Sequence, residues 1–146
     1  MYSPEEYREL IVRSGLARSF EVSGLSEESV TKLELAVSSR LPLAYRNFLL
    51  GVGRCAGRYF TGTDMFAPDL VELREWAREL FLEHGISFPE KGVAFYMHQG
   101  YVLGFFMLGN GEDPSVYQYE EGASTPVKRW NSFSEFFEQT VKEHSL

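Results

Sequence analysis

The chain contains a single cysteine, only three histidines and, between Gly92 and Val127, no lysine or arginine. With Cys55 alone no intramolecular disulfide can form, as is typical of proteins in a reducing compartment. We expect this thiol to behave as a small buried hydrophobe. No apolar run approaches the roughly 20 residues of a membrane span, and the first residues lack the basic and apolar regions of a secretory signal. These absences predict a cytoplasmic protein without membrane contact.

The sequence also lacks a recognisable catalytic or metal-binding pattern. His84, His98 and His144 are scattered without metal-ligand spacing. The glycines at 51 and 53 follow a predicted helix rather than a strand, so they indicate a helix stop and not a dinucleotide loop. His98 lies beside a predicted turn, and we expect its ring to hydrogen-bond turn backbone; a role as ligand or general base is the alternative. The sequence therefore predicts no catalytic residues, no metal site and no cofactor.

Composition favours one globular domain spanning residues 1–146. Hydrophobic residues make up 44% of the chain and charged residues 24%, and the net charge is −7. A strongly negative chain is a poor match for nucleic acid, since affinity for phosphates depends on cationic contacts. The same charge disfavours anionic membranes and is compatible with a basic protein partner.

Helices are predicted where capping signals precede apolar residues at helical spacing. Capping boxes begin at Ser3, Asp69 and Ser132, while Ser26 and Pro42 mark two further starts. The predicted helices cover about residues 3–14, 26–41, 42–51, 69–84 and 132 onward.

Strands are predicted at 58–60, 93–97, 101–108, 116–120 and 127–130. The second and third form a hairpin around Gln99-Gly100, and alternation assigns Val93, Phe95 and Met97 to one face and Ala94, Tyr96 and His98 to the other. Both faces are largely apolar, so we expect the hairpin to be central, with at least one face under helices. The expected fold is α+β: one domain with a mixed, mostly antiparallel sheet of about four to six strands and helices packed on it.

Acids and tyrosines flank the later strands. Glu112-Asp113 and Glu120-Glu121 are the only acids between Gly92 and Val127. Tyrosine at the centre of a patch with acids at its rim is typical of a protein-recognition surface. The candidates for a shared face are Tyr96, Tyr101, Tyr117 and Tyr119. The alternative is that the acids are merely solvated and the tyrosines half-buried in the sheet.

Three segments together resemble a known family. They are Leu41-Pro42 followed by Phe48-Leu49, the hairpin from Phe95 to Tyr101, and the closing run Ser132 to Phe137. In this order and spacing they are similar to the SUKH superfamily, which includes the Smi/Knr-type domains. The resemblance covers about residues 20–144, and residues 1–19 form a predicted helical extension.

The resemblance implies a mixed sheet with helices on one side and a non-enzymatic binding function. Bacterial members resemble immunity proteins that bind and block a cognate toxin domain, often a nuclease or deaminase. We expect a monomer or weak dimer with a basic toxin as partner. A regulatory scaffold is the alternative, and a small-molecule-binding domain or an enzyme using His98 is a third possibility. The candidate partner-binding residues are Tyr101, Glu112, Asp113, Tyr117, Tyr119, Glu120 and Glu121.

Overall fold

The computed structural model describes residues 1–67 and 69–145, with Asp69 described by its backbone alone. In chain order the elements are α1 (Pro4–Arg13), β1 (Val22–Ser23), α2 (Glu27–Ala36), α3 (Leu43–Val52), β2 (Cys55–Ala56), β3 (Thr63–Asp64), α4 (Leu73–Glu83), β4 (Gly92–His98), β5 (Val102–Met107), β6 (Val116–Glu120), β7 (Val127–Trp130) and α5 (Phe133–His144). Short 3-10 turns occupy Ser19–Glu21 and Asp69–Val71.

Strands β3 to β7 form a five-stranded sheet in which each strand pairs with its neighbour in sequence. All of these pairings are antiparallel, and β1 and β2 form a separate two-stranded ribbon. The predicted α+β domain with a mostly antiparallel sheet is confirmed. The β4–β5 hairpin is internal to the sheet, because β3 covers one side of it and β6 the other.

Helices cover both faces of the sheet, so the single helical side implied by the family resemblance is incomplete. On one face, Phe95, Phe106 and Trp130 pack against Phe133 and Phe136 of α5; we call this the α5 face. On the opposite face, the α4 face, residues of α4 pack against β4, β5 and β6. That cluster includes Leu73, Phe81, Leu103, Phe105 and Tyr119.

Local capping signals placed most helix starts correctly. The side chains of Ser3, Ser26 and Ser132 each accept a hydrogen bond from a backbone N–H in the first turn of their helices. The prediction for α4 was wrong: the helix starts at Leu73, after a 3-10 turn, and Glu72 caps it without a side-chain hydrogen bond. The side chain of Asp69, the predicted cap, lies outside the described residues. The second helix also ends earlier than predicted, since α2 stops at Ala36.

A β-bulge overturns the predicted alternation in β4. Ala94 pairs with Phe105 and Tyr96 pairs with Gly104, which leaves Phe95 as the extra residue. Phe95 and Tyr96 therefore both lie on the α5 face. Beyond the bulge the alternation is inverted, so Met97 lies with Ala94 on the α4 face. A bulge inserts one residue into the pairing and so shifts every later side chain to the other face.

Helix α1 belongs to the same core as the rest of the chain. Tyr7 and Ile11 are fully buried. The Tyr7 hydroxyl donates to the Ala44 carbonyl at 2.8 Å, and Arg8 Nε donates to the Gly51 carbonyl at 2.8 Å. The N-terminal segment is thus fastened to α3 by apolar packing and by two long-range hydrogen bonds.

Two predictions around residues 55–60 were wrong. Cys55 is exposed, because the β1–β2 ribbon turns Ala56 inward and Cys55 outward. The predicted strand at 58–60 is a turn, where Phe60 has a φ of 53°. Tyr59 is nevertheless almost fully buried, and its hydroxyl lies 2.7 Å from Thr140 Oγ1. Within the described residues, none of the helices is long and apolar enough to cross a bilayer.

Candidate functional site

The two predicted acid pairs lie at opposite ends of β6. Glu112-Asp113 precede β6, and Glu120-Glu121 stand at its end. With a rise of about 3.3 Å per residue, the four steps from Val116 to Glu120 separate these ends by roughly 13 Å. The structure therefore does not bring the four acids into one patch.

Other acids join Glu120 and Glu121 at the end of the sheet that carries the Gln99-Gly100 turn. The Glu121 backbone N–H donates to the Tyr101 carbonyl at 2.8 Å, which ties the β6–β7 loop to that turn. A shallow cleft of about 290 Å³ beside Gly100 is lined by Asp64, Glu79 and Glu83. Its other lining residues are apolar: Trp76, Leu80 and Met97.

We call this end of the sheet the acidic end and define it as Asp64, Glu79, Glu83, Tyr101, Glu120 and Glu121. Glu120 pairs with Val102 and therefore lies on the α5 face, whereas Asp64, Glu79 and Glu83 line the cleft on the α4 side. None of the described residues that line its cleft is a lysine or an arginine. Sequence reasoning missed Asp64, Glu79 and Glu83, because they come from β3 and α4 rather than from the β4–β7 segment. A signal was present, since Glu79 and Glu83 are like charges four residues apart at a predicted helix end.

The acidic end is electrostatically unfavourable for the fold itself. Glu83 is the last residue of α4, and the last turn of that helix contains no basic residue. The C-terminus of a helix carries a partial negative charge, so an acid there is repelled. Glu79 adds repulsion as an i, i+4 like-charge neighbour. This unfavourable self-energy falls when a cation or a basic partner approaches.

The predicted tyrosines do not share one face. Tyr119 is fully buried on the α4 face, where its hydroxyl donates to the Ala123 carbonyl at 3.0 Å. Tyr119 therefore cannot anchor a partner on this surface, because Phe81 of α4 covers its ring at 4.6 Å. Tyr117 is half-buried on the same face and stacks on Phe105. Tyr96 is buried on the opposite face.

Tyr101 is the predicted tyrosine that stands at the surface, with 41% of its area exposed. It follows the turn in which Gln99 and Gly100 both have positive φ, at 51° and 79°. A turn with positive φ at both central residues matches the twist of a hairpin, so the predicted turn is confirmed. The Tyr101 ring lies 5.8 Å from the His98 ring, and its backbone is joined to that of the exposed Glu121.

Asp113 and Glu112 take part in the fold at the other end of β6. Asp113 Oδ1 accepts a hydrogen bond from the Ser134 N–H at 2.9 Å, in the first turn of α5. A carboxylate at a helix N-terminus is stabilising, so Asp113 has a structural task. The Glu112 carbonyl accepts from the Ala44 N–H at 2.9 Å, while its side chain is exposed.

A match to a family model shows to which family the chain belongs. The model for the SMI1 / KNR4 family (SUKH-1) matches residues 24–139. The chain belongs to the SUKH-1 family. No curated protein sequence matches it. In this SUKH-1 chain α1 lies outside the matched range, yet it packs into the same core as the matched elements.

One group at the acidic end has ligand chemistry that the sequence spacing did not indicate. One ligand atom each of Glu83, His84 and Glu121 lies within 4.8 Å of the others. His84 Nε2 and Glu121 Oε1 are 3.5 Å apart. Two carboxylates and an imidazole suit a divalent cation such as Zn²⁺. Without a metal, His84 and Glu121 form an ordinary surface ion pair when the imidazole is protonated.

His98 does not bond turn backbone as predicted. Its Nδ1 lies 2.8 Å from Thr63 Oγ1, across the β3–β4 pairing. The turn is closed by backbone instead, where the Tyr101 N–H donates to the His98 carbonyl at 3.1 Å. Among the residues that the structure describes, no carboxylate hydrogen-bonds the His98 ring. The Thr63–His98 pair therefore has no described acid of the kind that orients a catalytic histidine.

Proposed function

We propose that this SUKH-1 chain is a non-enzymatic immunity protein that binds and neutralises a cognate toxin domain in the cytoplasm. The toxin domain is nuclease- or deaminase-like and presents a basic surface. Family membership supports the class, since bacterial SUKH members resemble immunity proteins. The acidic end carries the proposal, because Asp64, Glu79 and Glu83 line its cleft and none of the described lining residues is a lysine or an arginine.

Charge complementarity supplies the physical basis. A domain that acts on nucleic acid needs cations where it contacts phosphates. An acidic surface competes for those cations and accelerates the encounter by electrostatic steering, with rates that fall as salt rises. The net charge of −7 adds a long-range attraction toward a positively charged partner.

Apolar contacts complete the proposed interface. Tyr101 is exposed on the turn at this end of the sheet, and Leu82, in the last turn of α4 next to Glu83, is 70% exposed. Binding interfaces combine a few apolar or aromatic anchors with a polar rim. Tyr101 and Leu82 are the proposed anchors, and Glu79, Glu83, Glu120 and Glu121 form the rim.

Co-expression with the product of the neighbouring upstream gene tests the proposal. We expect that product to arrest growth alone and to be tolerated when this chain is present. A variant with Glu79, Glu83, Glu120 and Glu121 all changed to Gln should lose protection. A matched control changes the exposed acids Glu5, Glu9, Glu28 and Glu90 to Gln, which removes the same charge from other places, and it should still protect.

Two results would count against the proposal. A neighbouring product that is harmless by itself would remove the toxin from the account. Protection that survives in the acidic-end variant, with that variant folded, would show that another surface binds.

A further inference from the structure

A second cleft lies on the α5 face, between the last turn of α5 and the sheet. Its volume is about 340 Å³. It shares no described lining residue with the cleft at the acidic end, which is lined by α4 and the α4 face of the sheet. Six of its lining residues provide aromatic rings or hydrogen-bonding groups: Phe60, Tyr96, His98, Arg129, Trp130 and His144.

Two β-bulges supply residues to this one cleft. The bulge in β4 places Phe95 and Tyr96 together on the α5 face. In β7, Lys128 pairs with Tyr117 on the α4 face, whereas Trp130 pairs with Val116 on the α5 face, so Arg129 is the extra residue. Arg129 turns toward the α5 face, where its Nη1 donates to Gln118 Oε1 at 2.7 Å. Bulges commonly re-aim side chains beside binding sites.

The ring of Tyr96 is held flat across the sheet. It lies over Gly104, where an added Cβ would come within 1.8 Å of the ring, and it stacks on Phe136 at 5.7 Å with an interplanar angle of 13°. Only 3% of Tyr96 is exposed. A glycine under the ring and an aromatic above it hold the ring in place at the wall of the cleft.

The Tyr96 hydroxyl has no hydrogen-bond partner within residues 1–67 and 69–145. Three other buried tyrosines, Tyr7, Tyr59 and Tyr119, each bond a carbonyl or hydroxyl oxygen. Tyr45 resembles Tyr96 in lacking a described partner, but its pKa is raised by burial alone. Burial likewise raises the pKa of Tyr96, and the nearby Arg129 charge acts in the opposite direction. Because the Tyr96 hydroxyl is not among the described buried atoms that lack a partner, it reaches the open space of the cleft that Tyr96 lines. A donor without a protein partner that faces a cleft beside a cation is a site for an acceptor.

The remaining groups of the cleft make it a place for an anion with a flat apolar body. The Arg129 guanidinium lies 5.2 Å from the centre of the Trp130 ring. The His144 ring lies 4.5 Å from the Phe60 ring. Glu143 is the one carboxylate among the described lining residues; it is exposed, so solvent screens its repulsion of an anion. The cleft thus combines the Arg129 cation and the Tyr96 hydroxyl with aromatic walls.

We propose that this cleft binds a small aromatic carboxylate, with its carboxylate on the Tyr96 hydroxyl and the Arg129 guanidinium. The aromatic walls suit a planar ring. A guanidinium and a hydroxyl suit a carboxylate through charge-assisted hydrogen bonds. The volume is at the small end of the range for small-molecule sites, which fits one ring and its acid group. Nothing in this proposal depends on the toxin partner, so either proposal can fail alone.

Titration with benzoate, followed by NMR of the Trp130 indole and the histidine rings, tests the site. We expect saturable shifts confined to the cleft. Benzamide, which has the ring without the charge, and acetate, which has the charge without the ring, should bind at least about tenfold more weakly, since each loses a contact on the scale of 1.4 kcal/mol.

Variants decide whether the named residues are responsible. Tyr96→Phe and Arg129→Gln should each weaken benzoate about tenfold or more, as expected for loss of a charge-assisted hydrogen bond. Lys128→Gln is the matched control, because it removes the neighbouring cation on the opposite face, and it should leave benzoate affinity unchanged. Equal affinity for benzoate and benzamide, equal affinity in all three variants, or the absence of saturable shifts in a folded wild-type protein would each overturn the proposal.

Discussion

Neutralising the acid at the end of α4 should stabilise the protein. Glu83 occupies the last residue of that helix, four residues after Glu79, and one of its oxygens lies within 4.8 Å of a Glu121 oxygen. The change Glu83→Gln removes all three repulsions and keeps the shape of the side chain. Because the position is exposed, the side chain itself loses no packing.

The magnitude follows from the separate repulsions. An acid at a helix C-terminus is unfavourable by about 0.3–1 kcal/mol, and a like-charge i, i+4 pair by about 0.2–0.5 kcal/mol. Two unit charges 4.8 Å apart in water repel by about 0.9 kcal/mol before salt screening. After screening we expect the free energy of unfolding to rise by about 1 kcal/mol in total.

Urea denaturation followed by circular dichroism measures the change. The experiment is run at pH 8, above the ordinary histidine pKa of about 6.5, so that imidazole charge does not contribute. The gain should shrink at about 0.5 M salt, because surface repulsion is screened. Glu5→Gln is the control: it lies in the first turn of α1, where an acid is favourable, and it should lower the free energy of unfolding slightly. A Glu83→Gln protein that is less stable than wild type, or a gain that salt leaves unchanged, would refute the reasoning.

Three further predictions concern other parts of the molecule. Burial lowers the pKa of His144, so folding favours its neutral form. The free energy of unfolding should therefore fall as the pH drops below about 6.5, because the unfolded chain then binds a proton that the folded chain does not. His144→Asn should reduce that fall in urea titrations, and a pH profile identical to that of the wild type would contradict the prediction. Gly104→Ala should lower the free energy of unfolding by about 1–3 kcal/mol, because its methyl group would overpack against the Tyr96 ring. Adding Tyr96→Ala to that variant should relieve part of the loss. If the two substitutions had strictly additive effects on stability in thermal melts, the contact between Gly104 and Tyr96 would be contradicted. Asp113→Ala should cost about 0.5–2 kcal/mol, as for a lost helix cap, and Glu112→Ala should change stability by less than about 0.5 kcal/mol; equal effects in chemical denaturation would show that Asp113 does not hold α5.

Helix starts and the hairpin turn were predictable because their signals are local. Ser26 and Ser132 bond backbone N–H groups three residues away, and the conformation at Gln99-Gly100 depends on those two residues. Such interactions involve residues within a few positions of each other, so they can be predicted without knowing the rest of the fold.

The bulges were not predictable in the same way. The face on which Tyr96 lies depends on Gly104, which accommodates its ring from the next strand. Strict alternation assumes an unbroken ladder, and the sequence of β4 alone contains no sign of an extra residue. The exposure of Cys55 was also not predictable from its own segment, because it depends on pairing with Ser23, which is far away in the sequence.

The candidate surface was only partly predictable. Tyr101, Glu120 and Glu121 are close in space because Tyr101 and Glu121 share a backbone hydrogen bond. Glu79 and Glu83 reach the same end of the sheet only through the packing of α4, which the sequence predicted as a helix but could not orient. Tyr119 was misplaced because its burial depends on that same helix covering the sheet.

The most direct test of the account is the association rate with the cognate toxin as a function of salt. We predict that the wild-type rate falls steeply with rising salt, and that changing Glu79, Glu83, Glu120 and Glu121 to Gln lowers the low-salt rate by about tenfold or more. The control with Glu5, Glu9, Glu28 and Glu90 changed to Gln should stay much closer to the wild-type rate. An equal loss in both variants would mean that net charge alone steers the encounter, and it would contradict the claim that the acidic end is the binding surface.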